Sequence, residues 1–84
     1  MTSAQLKNKI RKLRFEHGEM TQKDLAHRVG CTRQTINAIE AGKYGPALEL
    51  AFKIGAVFGV GIEEVFQYET SRESETAEES SAIL

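Results

Sequence analysis

The 84-residue sequence contains a single cysteine, Cys31. One thiol excludes an intramolecular disulfide and a cysteine-rich metal site. No apolar run approaches the roughly 20 residues that a membrane-spanning helix needs. The polar, basic start has no hydrophobic stretch behind it of the kind a secretion signal carries. Internal repeats are absent. So are a Ser–His–Asp or Cys–His grouping, metal-ligand spacing and a glycine-rich phosphate loop. These absences argue against an enzyme, a metal and a cofactor, and they fit a small cytoplasmic protein with no membrane partner. The length allows one small domain with a marginal core.

What is present is unevenly charged. The formal net charge is -1. Residues 1–68 hold ten Lys/Arg and seven Asp/Glu, a net of +3. Residues 69–84 set Arg72 against Glu69, Glu73, Glu75, Glu78 and Glu79, a net of -4. An acidic tail therefore masks a basic body. Lys7, Lys9, Arg11, Lys12 and Arg14 cluster early, on what periodicity reads as the first helix. Such asymmetry suits an anionic partner. Charge alone suits a solvated helix face equally well.

Five helical segments follow from apolar spacing. In LKNKIRKLRFEHG, Leu6, Ile10 and Leu13 recur at i, i+4 and i+7, with Phe15 nearby, and Gly18 ends the segment. In TQKDLAHRV, Thr21 is a cap with Asp24 three residues on, Leu25, Ala26 and Val29 face inward, and Gly30 follows. RQTINAIEA is capped by Thr32, turns Ile36 and Ile39 inward and stops at Gly42. PALELAFKIGAVFG places Pro46 in a first turn. Its residues Leu48, Ala51, Phe52, Ile54, Val57 and Phe58 make it the expected centre of the core. Gly55 within it costs about 1 kcal/mol relative to Ala, which predicts a helix passing close by. The last segment, IEEVFQYE, puts Ile62, Val65 and Phe66 on one side behind Gly61. Beyond it, TSRESETAEESSA has too few apolar residues to offset its ordering entropy and reads as a disordered tail, 70–84, after a domain at 1–69.

The second and third segments are separated by Gly30 and Cys31 alone, ahead of the cap Thr32. Two helices joined so tightly, with a glycine at the bend, form a helix-turn-helix. Ala26 lies where they cross, and its small side chain permits close approach. Cys31 reads as a packing residue at the turn.

From Leu6 to Glu69 the sequence closely resembles the Cro/CI-type (XRE) helix-turn-helix family of phage-repressor-like transcription regulators. The TQ opening, the LA pair, the glycine turn, the RQTI helix start, the IE-x-GK exit and the EEVF ending occur in the family's order. HGEMTQ departs from it, with one residue more between Gly18 and Thr21 than the commonest pattern. The resemblance implies an all-α, compact five-helix bundle of the lambda-repressor-like type. It also implies a recognition helix, Arg33–Ala41, that enters the major groove of double-stranded DNA. Thr32, Arg33, Gln34, Asn37 and Ala38 would then read bases, since arginine can grip guanine and a carboxamide can grip adenine in bidentate fashion. Gln22, Thr35, Lys43 and Tyr44 would hold phosphates. Arg14 and Glu40 match an internal ion pair that joins the first helix to the third.

A domain this small buries too little to read one site tightly alone. A homodimer on a palindromic operator is expected, with Ile62, Phe66 and Tyr68 as a candidate dimer face. Repression is the expected output, and no small-molecule effector is evident. The other readings are an antitoxin-type protein-interaction module and a restriction-modification controller.

Overall fold

A computed structural model describes residues 4–43 and 45–70. In chain order the elements are β1 (Ala4–Asn8), α1 (Ile10–Glu16), α2 (Gln22–Val29), α3 (Arg33–Glu40), α4 (Leu48–Phe58), α5 (Ile62–Val65) and β2 (Phe66–Thr70). The five helices surround one core. Ile10, Leu25, Ile36, Ile39, Ile54 and Val65 are its fully buried side chains, drawn from all five helices. Each contributes about 1.5–3 kcal/mol on burial, more than any surface contact in the molecule.

The two ends of the domain are not helical. Leu6–Asn8, expected to open the first helix, lie in β1, and α1 starts only at Ile10. Lys7 consequently sits on a strand. The fifth helix, expected through Glu69, stops after Val65, and Phe66–Thr70 pair antiparallel with β1. Leu6 faces Tyr68 and Asn8 faces Phe66 in this ribbon. The reason is a partner that lies far away in sequence. Lys9 N–H donates to the Val65 carbonyl at 2.8 Å, so the chain enters α1 already tied to the start of β2. Asn8 then stops any helix from extending backward. Its side-chain oxygen accepts the Ile10 N–H at 3.2 Å, and its amide donates to the Ile39 carbonyl at 2.9 Å.

Helix α4 also departs from the expectation. Its N-cap is Ala47, so Pro46 precedes the helix instead of occupying its first turn. The buried face is Ala51, Ile54, Gly55 and Phe58, whereas Leu48 and Phe52 are 68% and 56% exposed. A helix apolar on nearly every side gives periodicity nothing with which to choose its inner face. Phe15 is likewise exposed; five positions from Ile10, it lies well round the helix from the Ile10–Leu13 stripe. The neighbour that keeps Gly55 free of a side chain is a turn and not a helix. A Cβ there would meet the Val60 carbonyl oxygen at 2.8 Å. The tail read as disordered falls outside the described residues, except Thr70, which closes β2. Among the described residues, no helix is long and apolar enough to cross a membrane.

Candidate nucleic-acid interface

The geometry of α2 and α3 is set by capping at both helix starts. Thr21 Oγ1 accepts the Asp24 N–H at 2.9 Å, and Thr32 Oγ1 accepts the Thr35 N–H at 3.1 Å. Each bond satisfies a donor that a helix start leaves open. Between the helices, Gly30 takes the left-handed conformation at φ 80°, and both Gly30 and Cys31 donate backbone N–H groups to the Ala26 carbonyl at 2.9 Å. Any residue with a Cβ is strained there. Leu25, Ala26 and Val29 of α2 and Ile36 and Ile39 of α3 are buried together. Cys31 is half-buried, and burial pushes its thiol pKa up, which disfavours the reactive thiolate.

With Ile36 and Ile39 inward, the opposite side of α3 is fixed. Arg33, Gln34, Asn37 and Ala38 fan over roughly 140° of the helix surface at ~100° per residue. Arg33, Gln34 and Asn37 are exposed, and none of their side chains has a hydrogen-bond partner among the described residues. Ala38 is half-buried. Thr32 and Thr35 are less free. Their hydroxyls are bonded to each other at 2.9 Å while Thr32 also serves as the cap. Lys43 is exposed beyond Gly42, and its N–H donates to the Ala38 carbonyl at 3.0 Å. Tyr44 lies outside the described residues.

A second cluster supports this face from behind. Arg14 Nε donates to Glu40 Oε2 at 2.6 Å and Nη2 to Glu40 Oε1 at 3.0 Å, while Nη1 reaches the Met20 carbonyl at 2.7 Å. One guanidinium thus ties α1 to the end of α3 and to the entry of α2. The additional residue of HGEMTQ does not prevent this, because Gly18 and Glu19 take it up in consecutive left-handed conformations. Gln22 joins the same cluster, its Nε2 donating to Glu40 Oε1 at 3.2 Å. That link leaves one Gln22 amide N–H without a partner among the described residues, at the start of α2, where the helix dipole favours an anion.

Asn8 escaped the sequence reading. It fastens the last turn of α3 to the start of α1 and so fixes the tilt of α3. An asparagine just before an apolar period is a helix-start signal and could have revealed the role. Nothing local announced that Gln22 would share Glu40 with Arg14. Of the candidate dimer residues, Ile62 and Phe66 are half-buried, Phe66 against the core, and Tyr68 is 66% exposed beside Leu6.

Comparison with known proteins places this surface in context. A family model described as helix-turn-helix matches residues 10–65. An HTH-type transcriptional regulator of Methanocaldococcus jannaschii is 56% identical over 64 residues, covering 76% of this chain and 96% of the relative. One from Bacillus subtilis is 47% identical over 64 residues, covering 76% and 96%. The crystal structure of a candidate DNA-binding protein from Bacteroides fragilis superposes with a TM-score of 0.64 at 21% identity, covering 74% of this chain and 98% of that one. It shares the fold.

Proposed function

The chain belongs to the helix-turn-helix family of Cro/CI (XRE) type, as a transcriptional regulator whose helix-turn-helix binds DNA, and from that premise we propose that it is a repressor that acts as a homodimer on a palindromic operator. Helix α3 enters the major groove by its N-terminal end. The observation that carries this reading is the outward set Arg33, Gln34 and Asn37, exposed and without a hydrogen-bond partner among the described residues, on a helix whose start is capped and whose other side is buried. Arg33 reads a guanine, and Gln34 or Asn37 an adenine. Ala38 touches a thymine methyl, and Thr32 contacts bases with the hydrogen-bonding capacity its cap leaves. Gln22 holds a phosphate with its second amide N–H, and Thr35, Lys43 and Tyr44 make further phosphate contacts. Arg14 and Glu40 are structural and keep that face in place. Tyr68, with the exposed edges of Ile62 and Phe66, supplies the dimer contact.

Selection of bound sequences from a random duplex pool tests the proposal. The expected product is a palindrome with half-sites about 10–10.5 base pairs apart, the spacing of successive major grooves. Arg33→Ala is expected to relax preference at one base position per half-site, worth about 1–3 kcal/mol of discrimination. Gln22→Ala should weaken all sequences alike. Failure of the protein to bind any duplex at low salt rejects the reading, and recovery of single, unrepeated sites rejects the dimer.

A further inference from the structure

We propose that the acidic segment Glu73–Glu79 of this chain docks on the basic groove beside α1 and there competes with DNA; the competition, though not the docking, rests on the DNA-binding reading above. The groove runs between α1 and the turn into α2. Lys9, Arg11 and Lys12 line one side, and Phe15 and Met20 give it an apolar floor. All three cations are exposed, and none has a carboxylate within 4.0 Å among the described residues. Glu19 is the acidic side chain in the lining. Arg11 and Arg14 also line the adjoining depression, with Gln22 and Asn37, so an occupant of the groove lies against the surface proposed to meet DNA.

The occupant is chosen by charge and reach. Residues 71–84 carry Glu73, Glu75, Glu78 and Glu79 against Arg72. β2 ends at Thr70, opposite Ala4, which lies four strand positions, or about 13 Å, from Asn8 at the mouth of the groove. Five residues past Thr70 span up to ~17 Å and nine up to ~30 Å, so the stretch that ends at Glu79 is long enough to reach Lys9 to Lys12. A tether this short holds the segment at an effective concentration in roughly the millimolar range, enough for weak ion pairs to matter. The described part of the acidic run already behaves this way, since Glu69 pairs with Lys7 at 2.9 Å. The carboxylates then occupy cations that would otherwise meet phosphate, and the chain regulates its own affinity.

The test compares the full chain with the variant E73Q/E75Q/E78Q/E79Q, which leaves every residue of the described core unchanged. In amide NMR spectra at low salt without DNA, resonances of Arg11, Lys12, Phe15 and Met20 are expected to shift between the two. Shifts confined to residues 71–84 overturn the docking. The variant should bind a random-sequence duplex about fivefold more tightly at low salt, from up to three exposed ion pairs released. Equal affinity overturns the competition. A cycle with K9Q/R11Q/K12Q separates docking from general repulsion. With those cations gone, tail neutralisation should change affinity by less than about twofold; an undiminished fivefold gain overturns the proposal. If the groove resonances shift while neither chain binds any duplex, the docking stands, and the competition falls together with the proposed function.

Discussion

In α2 and α3, the bonds that set each boundary join residues three or four apart: Thr21 to Asp24, Gly30 to Ala26, Thr32 to Thr35. In the β1–β2 ribbon, every pairing joins residues 58 to 66 positions apart, from Asn8–Phe66 to Ala4–Thr70. The two regions also differ in what they bury. The helix pair contributes Leu25, Ile36 and Ile39, each no more than 1% exposed. The ribbon leaves Leu6 36% and Tyr68 66% exposed. Local signals thus specify the part that carries most of the packing, and long-range pairing adds a lightly packed edge. Loop-closure entropy must be overcome before such an edge gains anything, so the ribbon is expected to form late and open first.

The sharpest way to break that contrast is to cut a cavity under α3. Ile36 is fully buried, and Ile36→Ala removes its contacts with no room to collapse. A loss of about 3 kcal/mol is expected by denaturant titration, a large fraction of the stability of a domain this size. At a concentration low enough to keep the chain monomeric, Tyr68→Ala on the ribbon should cost under ~1 kcal/mol. Comparable losses at the two positions end the claim that the ribbon is lightly coupled to the core.

The same contrast explains what could be read from the residues alone. Caps, left-handed glycines and a 3.6-residue period lie within a short window, so α2, α3 and their inward faces were legible, and with them the outward set Arg33, Gln34 and Asn37. The family resemblance supplied the Arg14–Glu40 pair, which no local pattern contains. What failed was non-local. Leu6 continues the helical period of Ile10 and Leu13, and only pairing with Tyr68 turns it into a strand residue. Phe66 and Tyr68 continue α5 on paper for the same reason. Leu48 and Phe52 looked like core because an apolar helix does not reveal which side has neighbours.

Gly55 gives a sharper test, because local and non-local effects there oppose each other. Helix propensity alone predicts that Gly55→Ala stabilises by about 1 kcal/mol. The new Cβ, however, would sit 2.8 Å from the Val60 carbonyl oxygen, a backbone atom that cannot swing aside. Overpacking against backbone lies at the upper end of about 1–3 kcal/mol, so the expected net is a loss of about 2 kcal/mol. A gain in thermal midpoint would show that the turn into α5 relaxes freely. That would leave the start of β2 far less fixed than the hydrogen bond from Lys9 to Val65 implies.

A smaller effect is expected at the cap of α3. Thr32→Ala removes the acceptor for the Thr35 N–H and the partner of the Thr35 hydroxyl. The cost should be about 1 kcal/mol, with faster amide exchange confined to the first turn of α3. Faster exchange that spreads into β1 instead would mean that the helix pair and the ribbon open as one unit, which Asn8, bonded to the Ile39 carbonyl, is placed to couple.

The weakest contact probes the ribbon itself. Lys7 stands opposite Gln67 and Glu69 opposite Gln5, so the Lys7–Glu69 pair at 2.9 Å is a diagonal one across the ribbon. Both side chains are about half exposed, at 53% and 46%, and water and salt screen them. A double-mutant cycle with Lys7→Gln and Glu69→Gln should give a coupling of about 0.3 kcal/mol that vanishes in high salt. The strand register then rests on the backbone ladder and on Asn8. A salt-insensitive coupling above ~1 kcal/mol would instead make this pair the element that holds the ribbon closed.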